Sequence, residues 1–379
     1  MTLGETELTQ KMIPISKPII FKNAQKYLLE CLKSGWISGA GPMVSRFESE
    51  FAKFIGTKYA VSCTSGTTAL HLALAALNIG PGDEVIVPSL TMIASVLPIY
   101  YSRATPVLID VEEDTGNMDV RLLESKITKN TKVIMPVHLY GHPVNMEPLL
   151  KIAKKYNLAI VEDAAEAHGA EYKLKKVGSI GDLGCFSFYA NKIVTSGEGG
   201  MVTTSNPRLT ERLGSLRNLS RTPKRHFYHR EVGFNYRLSS LQAALGVAQL
   251  EEVDQIIAKK RHMADLYNNL LSSVNNLILP VEKDYAKSVF WHYGIVLKHN
   301  SPLSRDKLAQ KLGKNGVESR TFHIPMHLQP ALLNLGLFKG ESYPVAEYLS
   351  ENGLLLPAGP DISDKQIAHI CSTIHTLLS

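Results

Sequence analysis

A lysine stands between an apolar, strand-like run and a glycine cluster in the segment FSFYANKIVTSGEGG, residues 186–200. The surrounding composition predicts a buried turn, where the ammonium of Lys192 costs free energy unless a partner compensates it or the amine is used for chemistry. The glycines of the segment let the backbone pass close to a bound ring. Lys192 is therefore a candidate for an amine that reacts with an aldehyde.

An acidic residue that could serve the same chemistry lies 29 positions before the lysine. Asp163 follows the apolar run LAIVE, and the carboxyl ends of such strands form the usual ligand edge of an α/β sheet. Its carboxylate could cap the following turn, or it could pair with a buried cation. The pyridinium nitrogen of pyridoxal phosphate is such a cation, and a carboxylate that keeps it protonated sustains the ring as an electron sink.

A phosphate site is suggested by the segment SCTSGTTAL, residues 62–70, in which a strand ends at a turn of small residues and a helix begins. Backbone N–H groups at a helix N-terminus bind phosphate, although an ordinary Ser/Thr helix cap would give the same pattern. The segment matches neither G-x-x-x-x-G-K-[ST] nor G-x-G-x-x-G, so P-loop and Rossmann sites are not supported. The candidate phosphate ligands are Ser65, Gly66, Thr67 and Ser187.

The elements that must position these residues form an alternating pattern from about residue 58 to 205. Short runs that are apolar throughout alternate with helical periodicity, which predicts strands covered on both faces in a mostly parallel α/β sheet. The helix after the first strand is expected to end at Gly80. The predicted strands are KYAVSCT, DEVIVP, TPVLIDV, KVIMPVHLYG and LAIVEDA.

Two domains are expected from the pattern beyond this region. One long helix is predicted to start at Ser239 in SSLQAALGVAQLEEVDQIIAKKR, with Ser239 and Gln242 as a capping box. This helix would connect a large α/β domain, residues 1–250, to a smaller α+β domain, residues 251–379. In the smaller domain FWHYGIVL predicts a strand, whereas SRDKLAQKLGKNG and the tail from Asp364 predict helices.

Composition excludes several classes of protein. The 379 residues are 44% hydrophobic and 20% charged, with no apolar stretch of membrane-spanning length and no apolar signal-peptide core. Lys and Arg are spread along the chain, so the net charge of +6 does not predict nucleic-acid binding. The four cysteines lie far apart without a C-x-x-C pair, which predicts neither a metal site nor a disulfide framework. A cytoplasmic protein is expected.

Taken together, these segments resemble the sugar aminotransferases of the DegT/DnrJ/EryC1/StrS family over nearly the whole chain. The resemblance implies the pyridoxal-phosphate-dependent aspartate aminotransferase (type I) fold. The segments that carry it are SGWISGAGPMVSRFESEFA, SGTTALHLAL, GDEVIVPSLT, PVHLYG, VEDAAEAHGA, FSFYANKIVTSGEGGMV and GFNYRLSSLQAALGVAQL.

The resemblance also implies roles for single residues. Lys192 would form the Schiff base with the aldehyde of pyridoxal phosphate, and Asp163 would bind the pyridine nitrogen. Glu166 would lie near the ring hydroxyl, where many relatives carry Gln. Met92 stands where many relatives place an aromatic residue against the ring, and a thioether can also pack on a π-face. Asn235 would reach the cofactor phosphate of the neighbouring subunit, which implies a homodimer with shared active sites.

The implied reaction transfers the amino group of L-glutamate to a nucleotide-linked keto sugar. The segments GFNYR, PMHLQP and YPVAEYLSENGLLLPAGP most resemble family members that act on C4 of GDP-4-keto-6-deoxy-D-mannose. Such enzymes supply sugars for the O-antigen of lipopolysaccharide. Arg237, His323 and His327 are candidate substrate ligands, as is the basic segment 217–230, because arginine matches phosphate geometry. A structural role is equally open for each histidine, and a solvated loop for the segment.

Other functions are kept as alternatives. The same scaffold could act on a UDP- or dTDP-linked keto sugar or on 8-oxo-3,8-dideoxyoctulosonate. A sugar-sensing regulator of the same fold without turnover is a further possibility, against which the presence of Lys192 and Asp163 argues. A related subgroup that dehydrates C3 of the sugar has His at the lysine position, and Lys192 argues against it. An NAD-dependent dehydrogenase is disfavoured by the missing glycine fingerprint.

Overall fold

The structure is a computed structural model that describes residues 12–222, 225 and 227–378. The N-terminal decapeptide, for which no signal peptide is expected, and three residues of the basic segment, at 223, 224 and 226, lie outside the described residues. The strands are β1 (Tyr59–Cys63), β2 (Glu84–Pro88), β3 (Thr105–Ile109), β4 (Thr131–Ile134), β5 (Ala159–Asp163), β6 (Glu171–Tyr172), β7 (Lys175–Lys176), β8 (Leu183–Ser187), β9 (Gly200–Thr204), β10 (Leu277–Ile278), β11 (Ala286–Lys287), β12 (Tyr293–Leu297), β13 (Arg320–Thr321) and β14 (Gly353–Leu356).

Helices precede, separate and follow these strands. Their lengths range from single turns to the five turns of the 19-residue helix Val253–Leu271. They are α1 (Lys22–Ser34), α2 (Pro42–Ile55), α3 (Gly66–Ala76), α4 (Leu97–Tyr101), α5 (Leu123–Lys126), α6 (Met146–Tyr156), α7 (Pro207–Arg217), α8 (Ser240–Leu250), α9 (Val253–Leu271), α10 (Arg305–Lys314), α11 (Pro330–Leu333), α12 (Pro344–Asn352) and α13 (Asp364–Leu378).

The centre of the molecule is a seven-stranded sheet with the strand order β1-β9-β8-β5-β4-β2-β3. Only β9 runs against its neighbours, and the remaining pairs of this sheet are parallel. The predicted α/β class with a large, mostly parallel sheet is therefore confirmed. Because β8 and β9 are antiparallel, the loop between them, residues 188–199, returns at the edge where β5 also ends. Lys192 and Asp163 thus share one edge of the sheet.

The strands are buried because helices cover both faces of the sheet. On one face Leu70 and Leu74 of α3 pack with core residues of β2. On the other face Phe47 of α2 and Val247 of α8 pack with Phe186 of β8. Burying a side chain of this size stabilises the fold by about 1.5–3 kcal/mol. Continuous apolar strands, the signal in the sequence, are the result of this two-sided cover.

Two helix boundaries differ from the prediction. Helix α3 ends at Ala76 rather than at Gly80, because Asn78 adopts the left-handed conformation with φ of 58° and stops the helix earlier. The long helix predicted from Ser239 is two helices, α8 and α9. Its capping box is present as predicted, with the hydroxyl of Ser239 accepting from the amide of Gln242 and the amide of Ser239 donating to the Gln242 side chain.

The break between α8 and α9 is held by tertiary contacts that helical periodicity does not encode. Glu252 leaves helical geometry at φ −111° and ψ 9°. The carboxylate of the adjacent Glu251 accepts hydrogen bonds from Tyr27 at 2.7 Å and from Arg46 at 2.7 Å. Contacts with α1 and α2 therefore accompany the turn at the end of α8.

A second, antiparallel sheet with the order β10-β12-β14-β13 forms the core of the C-terminal part. Helices α9, α10 and α13 contribute apolar residues to one cluster with this sheet. Ile13 joins the same cluster and exchanges backbone hydrogen bonds with Gly316 and Glu318. The segment at Ile13 thus packs with the second sheet, and the division into domains at residues 250 and 251 stays a prediction.

Candidate active site

A cavity of about 490 Å³ opens at the edge where the parallel strands of the large sheet end. Its lining combines residues that end or follow β1, β2, β5 and β8 with residues in or next to β12, β13 and β14 of the second sheet. The structure brings most of the sequence-predicted residues together on its lining: Ser65, Gly66, Thr67, Met92, Asp163, Glu166, Ser187, Lys192 and His323.

Lys192 extends into this cavity with only 10% of its side chain exposed. Its Nζ lies 3.6 Å from Oε1 of Glu166 and 3.5 Å from the ring centroid of Trp291. Burial lowers the pKa of Lys192, while the carboxylates of Glu166 and Asp163 act in the opposite direction. A lowered pKa increases the fraction of free amine at neutral pH, which is the nucleophilic form.

Asp163 ends β5 with its carboxylate on the cavity lining and 5% of the residue exposed. Its Oδ2 accepts a hydrogen bond from the Ser95 hydroxyl at 2.7 Å, and its Oδ1 accepts one from the Ala165 amide at 3.2 Å. The Ser95 hydroxyl is 2.8 Å from that of Thr91. Burial raises the pKa of Asp163, and the two hydrogen bonds oppose the rise. A desolvated carboxylate of this kind gains most from a cationic partner.

The second buried carboxylate, Glu166, is held in its charged form. Its Oε2 accepts from the amide of Tyr140 at 2.9 Å, and its Oε1 lies 3.7 Å from Nε2 of His323. Burial alone would raise the pKa of Glu166. The charge of Lys192 opposes this rise, as do His323 and the Tyr140 amide, and together they lower the pKa of Glu166 to about 2. Two buried carboxylates, Asp163 and Glu166, thus lie around the buried lysine of the cavity, and this local charge balance favours a ligand that brings a positive group.

The N-terminus of α3 forms one end of the cavity. The hydroxyl of Ser65 accepts from the amide of Thr68 at 3.2 Å, so the helix cap expected as the ordinary alternative is present. The backbone N–H groups of Gly66 and Thr67 precede Ala69, the first residue of this helix whose N–H donates to a carbonyl four residues earlier. A Cβ on Gly66 would lie 2.7 Å from Cβ of Ser187, so only glycine lets the Ser187 hydroxyl approach the helix end. This cradle of amides and hydroxyls fits a phosphate group.

The cavity therefore fits pyridoxal phosphate at three separate points. The helix end suits its phosphate, the carboxylate of Asp163 suits its ring nitrogen, and the amine of Lys192 suits its aldehyde. Met92 lies on the same lining and is half-exposed, so its thioether is available to a ring.

Three predicted residues do not line the cavity of their own chain. Asn235 is exposed, and its backbone pairs with Asn218. Arg237 donates to the side-chain oxygen of Asn218. His327 is buried, with Nε2 2.9 Å from Glu347 Oε1. The prediction of a substrate contact at His327 is therefore not supported, because its ring is enclosed by the fold.

The basic segment 217–230 is also divided in its roles. Arg217 is bonded to Glu48 and donates to the carbonyl of Ser62 at 2.9 Å, so it stabilises the fold beside β1. Arg221, Arg225 and Arg230 are exposed. An anion-binding role for the described part of this segment thus falls to the later arginines.

Several residues on the lining were missed at the sequence level. Ser95 and Thr91 flank Met92 in SLTMIAS, and their hydroxyls, four residues apart, were the available signal. The residues from the smaller domain carry no local signal, because only tertiary folding brings them to the sheet edge. They are Trp291, His292, Arg320, Thr321 and Leu355.

Among the described ranges, no group of three or more His, Cys, Asp or Glu side chains is arranged to hold a metal ion. In the same ranges no helix has the length and apolar character needed to cross a membrane. All four cysteines are buried free thiols.

Known proteins resemble this chain over nearly its full length. The chain is 42% identical to GDP-perosamine synthase of Caulobacter vibrioides, over 97% of this chain and 98% of the relative. It is 41% identical to GDP-perosamine synthase of Escherichia coli O157:H7, over 97% of this chain and 99% of the relative. The PLP form of the putative sugar aminotransferase Spr1654 from Streptococcus pneumoniae superposes with a TM-score of 0.91 at 31% identity, covering 97% of this chain and 98% of that one.

A sequence profile of the DegT/DnrJ/EryC1/StrS aminotransferase family matches residues 18–375. This range includes every residue of the cavity lining and all three sheets of the described residues. The protein therefore belongs to the DegT/DnrJ/EryC1/StrS aminotransferase family.

Proposed function

We propose that the protein is a pyridoxal-phosphate-dependent aminotransferase that moves the amino group of L-glutamate to C4 of GDP-4-keto-6-deoxy-D-mannose, giving GDP-perosamine. The observation that carries the proposal is the meeting of Lys192, Asp163 and the N-terminus of α3 in one cavity. The choice of sugar is supported by the likeness to proteins named GDP-perosamine synthase.

Pyridoxal phosphate, when bound, supplies an aldehyde that reacts with amines and a ring that withdraws electrons from the substrate carbon. Asp163 would hold the ring nitrogen protonated, and the amides of Gly66 and Thr67 with the Ser187 hydroxyl would hold the phosphate. Lys192 would attach to the aldehyde and, once released, accept and return the proton of the substrate carbon, because it is a buried amine whose pKa is lowered.

The residues around Lys192 support this proton transfer. Glu166 remains charged and lies 3.6 Å from the amine, so it helps to keep the amine in place when it is protonated. Tyr140 is packed on His323 with 5.5 Å between ring centroids, and the smaller domain thus covers this side of the cavity. A covered site excludes water from the reacting atoms.

Substrate recognition is proposed for polar residues at the mouth of the cavity. Arg320 lines the cavity and donates to Glu318 at 3.3 Å through one nitrogen, and 56% of its side chain is exposed, so the rest of its guanidinium can meet a diphosphate. His323 lines the same wall and would contact the sugar. Arg237 and Asn235 lie outside the cavity of their own chain, and we assign them to the site of a second subunit.

A homodimer is supported by the surface near these residues. Leu29 and Leu32 on α1 are 51% and 60% exposed, and Ile37 in the following loop is 49% exposed. Large apolar residues grouped in this way on a surface are typical of protein–protein contacts. We therefore propose a homodimer with shared active sites, in the cytoplasm, where buried free thiols are not oxidised.

The proposal is tested first at Lys192. The Lys192→Ala variant is expected to lose transamination and the visible absorbance of the bound cofactor, because no other lysine lines the cavity within the described chain. Lys175→Ala changes an exposed lysine on β7 and serves as the control. Borohydride treatment of the wild-type protein, followed by digestion, should give a pyridoxyl group on the peptide that contains Lys192. Its absence there would remove the mechanism.

The sugar is tested with a panel of substrates in the presence of L-glutamate, with product mass as the readout. We expect GDP-4-keto-6-deoxy-D-mannose to be aminated with the highest kcat/KM. Preference for a UDP- or dTDP-linked keto sugar, or for 8-oxo-3,8-dideoxyoctulosonate, would keep the reaction and change the substrate. No consumption of glutamate with any member of the panel would favour the sugar-sensing regulator.

A further inference from the structure

One aromatic side chain contacts the reactive lysine in two ways. Trp291 lies just before β12 and is 6% exposed, among core residues that include Phe188 and Ile193. Its ring centroid is 3.5 Å from Nζ of Lys192. Its indole N–H donates a 2.8 Å hydrogen bond to the carbonyl of Asn191. The same ring system therefore contacts both the tip of the lysine and the turn from which it extends.

Trp291 is itself anchored from the other side. Its carbonyl accepts a 2.8 Å hydrogen bond from Nζ of Lys260 in α9, and the same Nζ also donates to the carbonyl of Ala358. Lys260 is 3% exposed, so this contact is shielded from water. A buried amine that donates to two backbone carbonyls fixes the backbone around it. The indole therefore has little freedom to leave the lysine.

The amine of Lys192 is close to two groups that both favour a positive charge. They are the carboxylate of Glu166 at 3.6 Å and the indole face of Trp291, whose centroid is at 3.5 Å. The face of an aromatic ring carries negative potential, and among the aromatic side chains Trp attracts cations most strongly. The attraction increases when the pair is removed from water, as it is here.

We propose that Trp291 is a positioning residue for Lys192, whose ring face stabilises the cationic state of the lysine nitrogen and whose indole N–H fixes the turn that carries it. The inference deepens the proposed function and rests on it, since it assigns a purpose to the surroundings of the reactive amine. Lys260 takes part as the anchor of Trp291.

Other titratable groups also face the lysine nitrogen, and a test must leave them unchanged. A substitution confined to the ring of Trp291 meets this condition. The groups that interact with Lys192 from the elements around it are the carboxylates of Asp163 and Glu166 and the imidazoles of His168 and His292, while His323 faces Glu166.

The electron density of the Trp291 ring can be changed while the shape of the indole is kept. The chain contains two tryptophans, and Trp36 lies outside the cavity, so Trp36→Phe leaves Trp291 as the single tryptophan of the full-length protein. Tryptophans with one, two and three ring fluorines can then be incorporated at this position. Fluorine withdraws electron density from the ring face, while the indole keeps its size and its N–H.

The measured quantity is the pH midpoint of the visible absorption band of the holoenzyme. Each fluorine is expected to lower the midpoint, because the cationic nitrogen loses part of its stabilisation, and the total change should be about one pH unit, a tenfold change in the protonation equilibrium. Cofactor affinity should stay within about twofold, because an unchanged indole shape preserves the packing.

Substitution provides a second arm. Trp291→Leu should lower the same midpoint by about one unit and reduce kcat, with KM for the keto sugar unchanged. Phe290→Leu removes the neighbouring buried aromatic ring, which does not line this cavity, and should leave the midpoint where it is. A purely structural Trp291 would instead give a less stable protein with an unchanged midpoint.

The outcomes separate the inference from the proposed function. A midpoint that does not depend on the number of fluorines would overturn the inference, even if Trp291→Leu fails to fold. An unfluorinated parent without a visible band, or without a pyridoxyl group on the Lys192 peptide after borohydride treatment, would contradict the proposed function itself.

Discussion

Two buried carboxylates face one lysine in the cavity, and their environments differ. Asp163 is bonded by neutral donors and its pKa is raised by burial, whereas Glu166 is beside Lys192 and its pKa is lowered to about 2. Asp163 thus lacks a cationic partner at hydrogen-bonding distance, while Glu166 has one nearby. In the proposed complex, the protonated ring nitrogen of pyridoxal phosphate would give Asp163 the cationic partner that it lacks.

Replacing Asp163 by Asn should therefore reduce kcat at least about a hundredfold. Leaving one member of a buried ion pair without its partner costs about 3–5 kcal/mol, and about 1.4 kcal/mol corresponds to a tenfold change in rate. Ser95→Ala is the matched control, because it removes one neutral hydrogen bond to the same carboxylate and should cost only about tenfold. Steady-state kinetics of both variants measure this. Asp163→Asn activity within a few-fold of wild type would contradict the assigned role.

Single residues were predictable where their setting is local. Lys192 and Asp163 each follow an apolar strand, and that pattern is visible in a short window. Trp291 lies 99 positions after the lysine it contacts, so no window contains both. The motif PMHLQP predicts His327 as a ligand. The sequence does not show which way a histidine side chain points, and in the structure His327 faces Glu347 rather than the cavity.

At the scale of elements, the approach of α3 to the end of β8 shapes the proposed phosphate site. This approach depends on Gly66, since a Cβ there would lie 2.7 Å from Cβ of Ser187. That distance is too short for two carbon atoms, and relief requires the helix and the strand to separate. The amides of the helix end would then move away from the Ser187 hydroxyl.

Gly66→Ala is expected to weaken binding of pyridoxal phosphate by at least about tenfold, because overpacking of this kind costs about 1–3 kcal/mol. Gly214→Ala, in α7, is the control, since a Cβ at that position meets open space and alanine suits a helix interior. Titration of the cofactor-free proteins with pyridoxal phosphate, followed by absorbance, compares the two. Equal affinities would show that the helix end is not part of the phosphate site.

The elements themselves were predicted well where burial is uniform. Each of the five strand segments assigned between residues 58 and 164 contains a strand of the large sheet, although KVIMPVHLYG is a strand only to Ile134 and continues into a helical turn at Leu139–Gly141. Boundaries were less predictable, because they depend on distant contacts. At the turn after α8, Tyr27 and Arg46 donate hydrogen bonds to Glu251. The helical periodicity of the local sequence does not predict these contacts.

At the scale of the whole molecule, the proposed homodimer gives a prediction about mixed subunits. If Asn235 serves the cofactor phosphate of the neighbouring chain, Asn235→Asp brings a negative charge toward it and should inactivate the enzyme. Lys192→Ala removes the reactive amine, which the other chain contributes to the same shared site. Unfolding and refolding the two inactive proteins together should restore about a quarter of wild-type activity, because half of the random dimers then hold one intact site.

The mixing experiment has internal controls. Each variant refolded alone should remain inactive. A double variant that carries both changes on one chain, mixed with wild type, should leave no intact site in the mixed dimer, because the wild-type Lys192 then shares its site with the substituted position 235 of the other chain. No recovery on mixing the single variants would place Asn235 and Lys192 of one chain in the same site.

The walls of the cavity are drawn from residues as far apart as Ser65 and Leu355. During synthesis the early segments leave the ribosome long before the late ones, and the pairing of β1 with β9 already waits for residue 204. A bound cofactor stabilises only a chain that has its binding site. Pyridoxal phosphate therefore cannot stabilise a growing or truncated polypeptide. Adding its vitamin precursor to an expression culture should raise the yield of destabilised full-length variants, but not of fragments that stop before the second sheet.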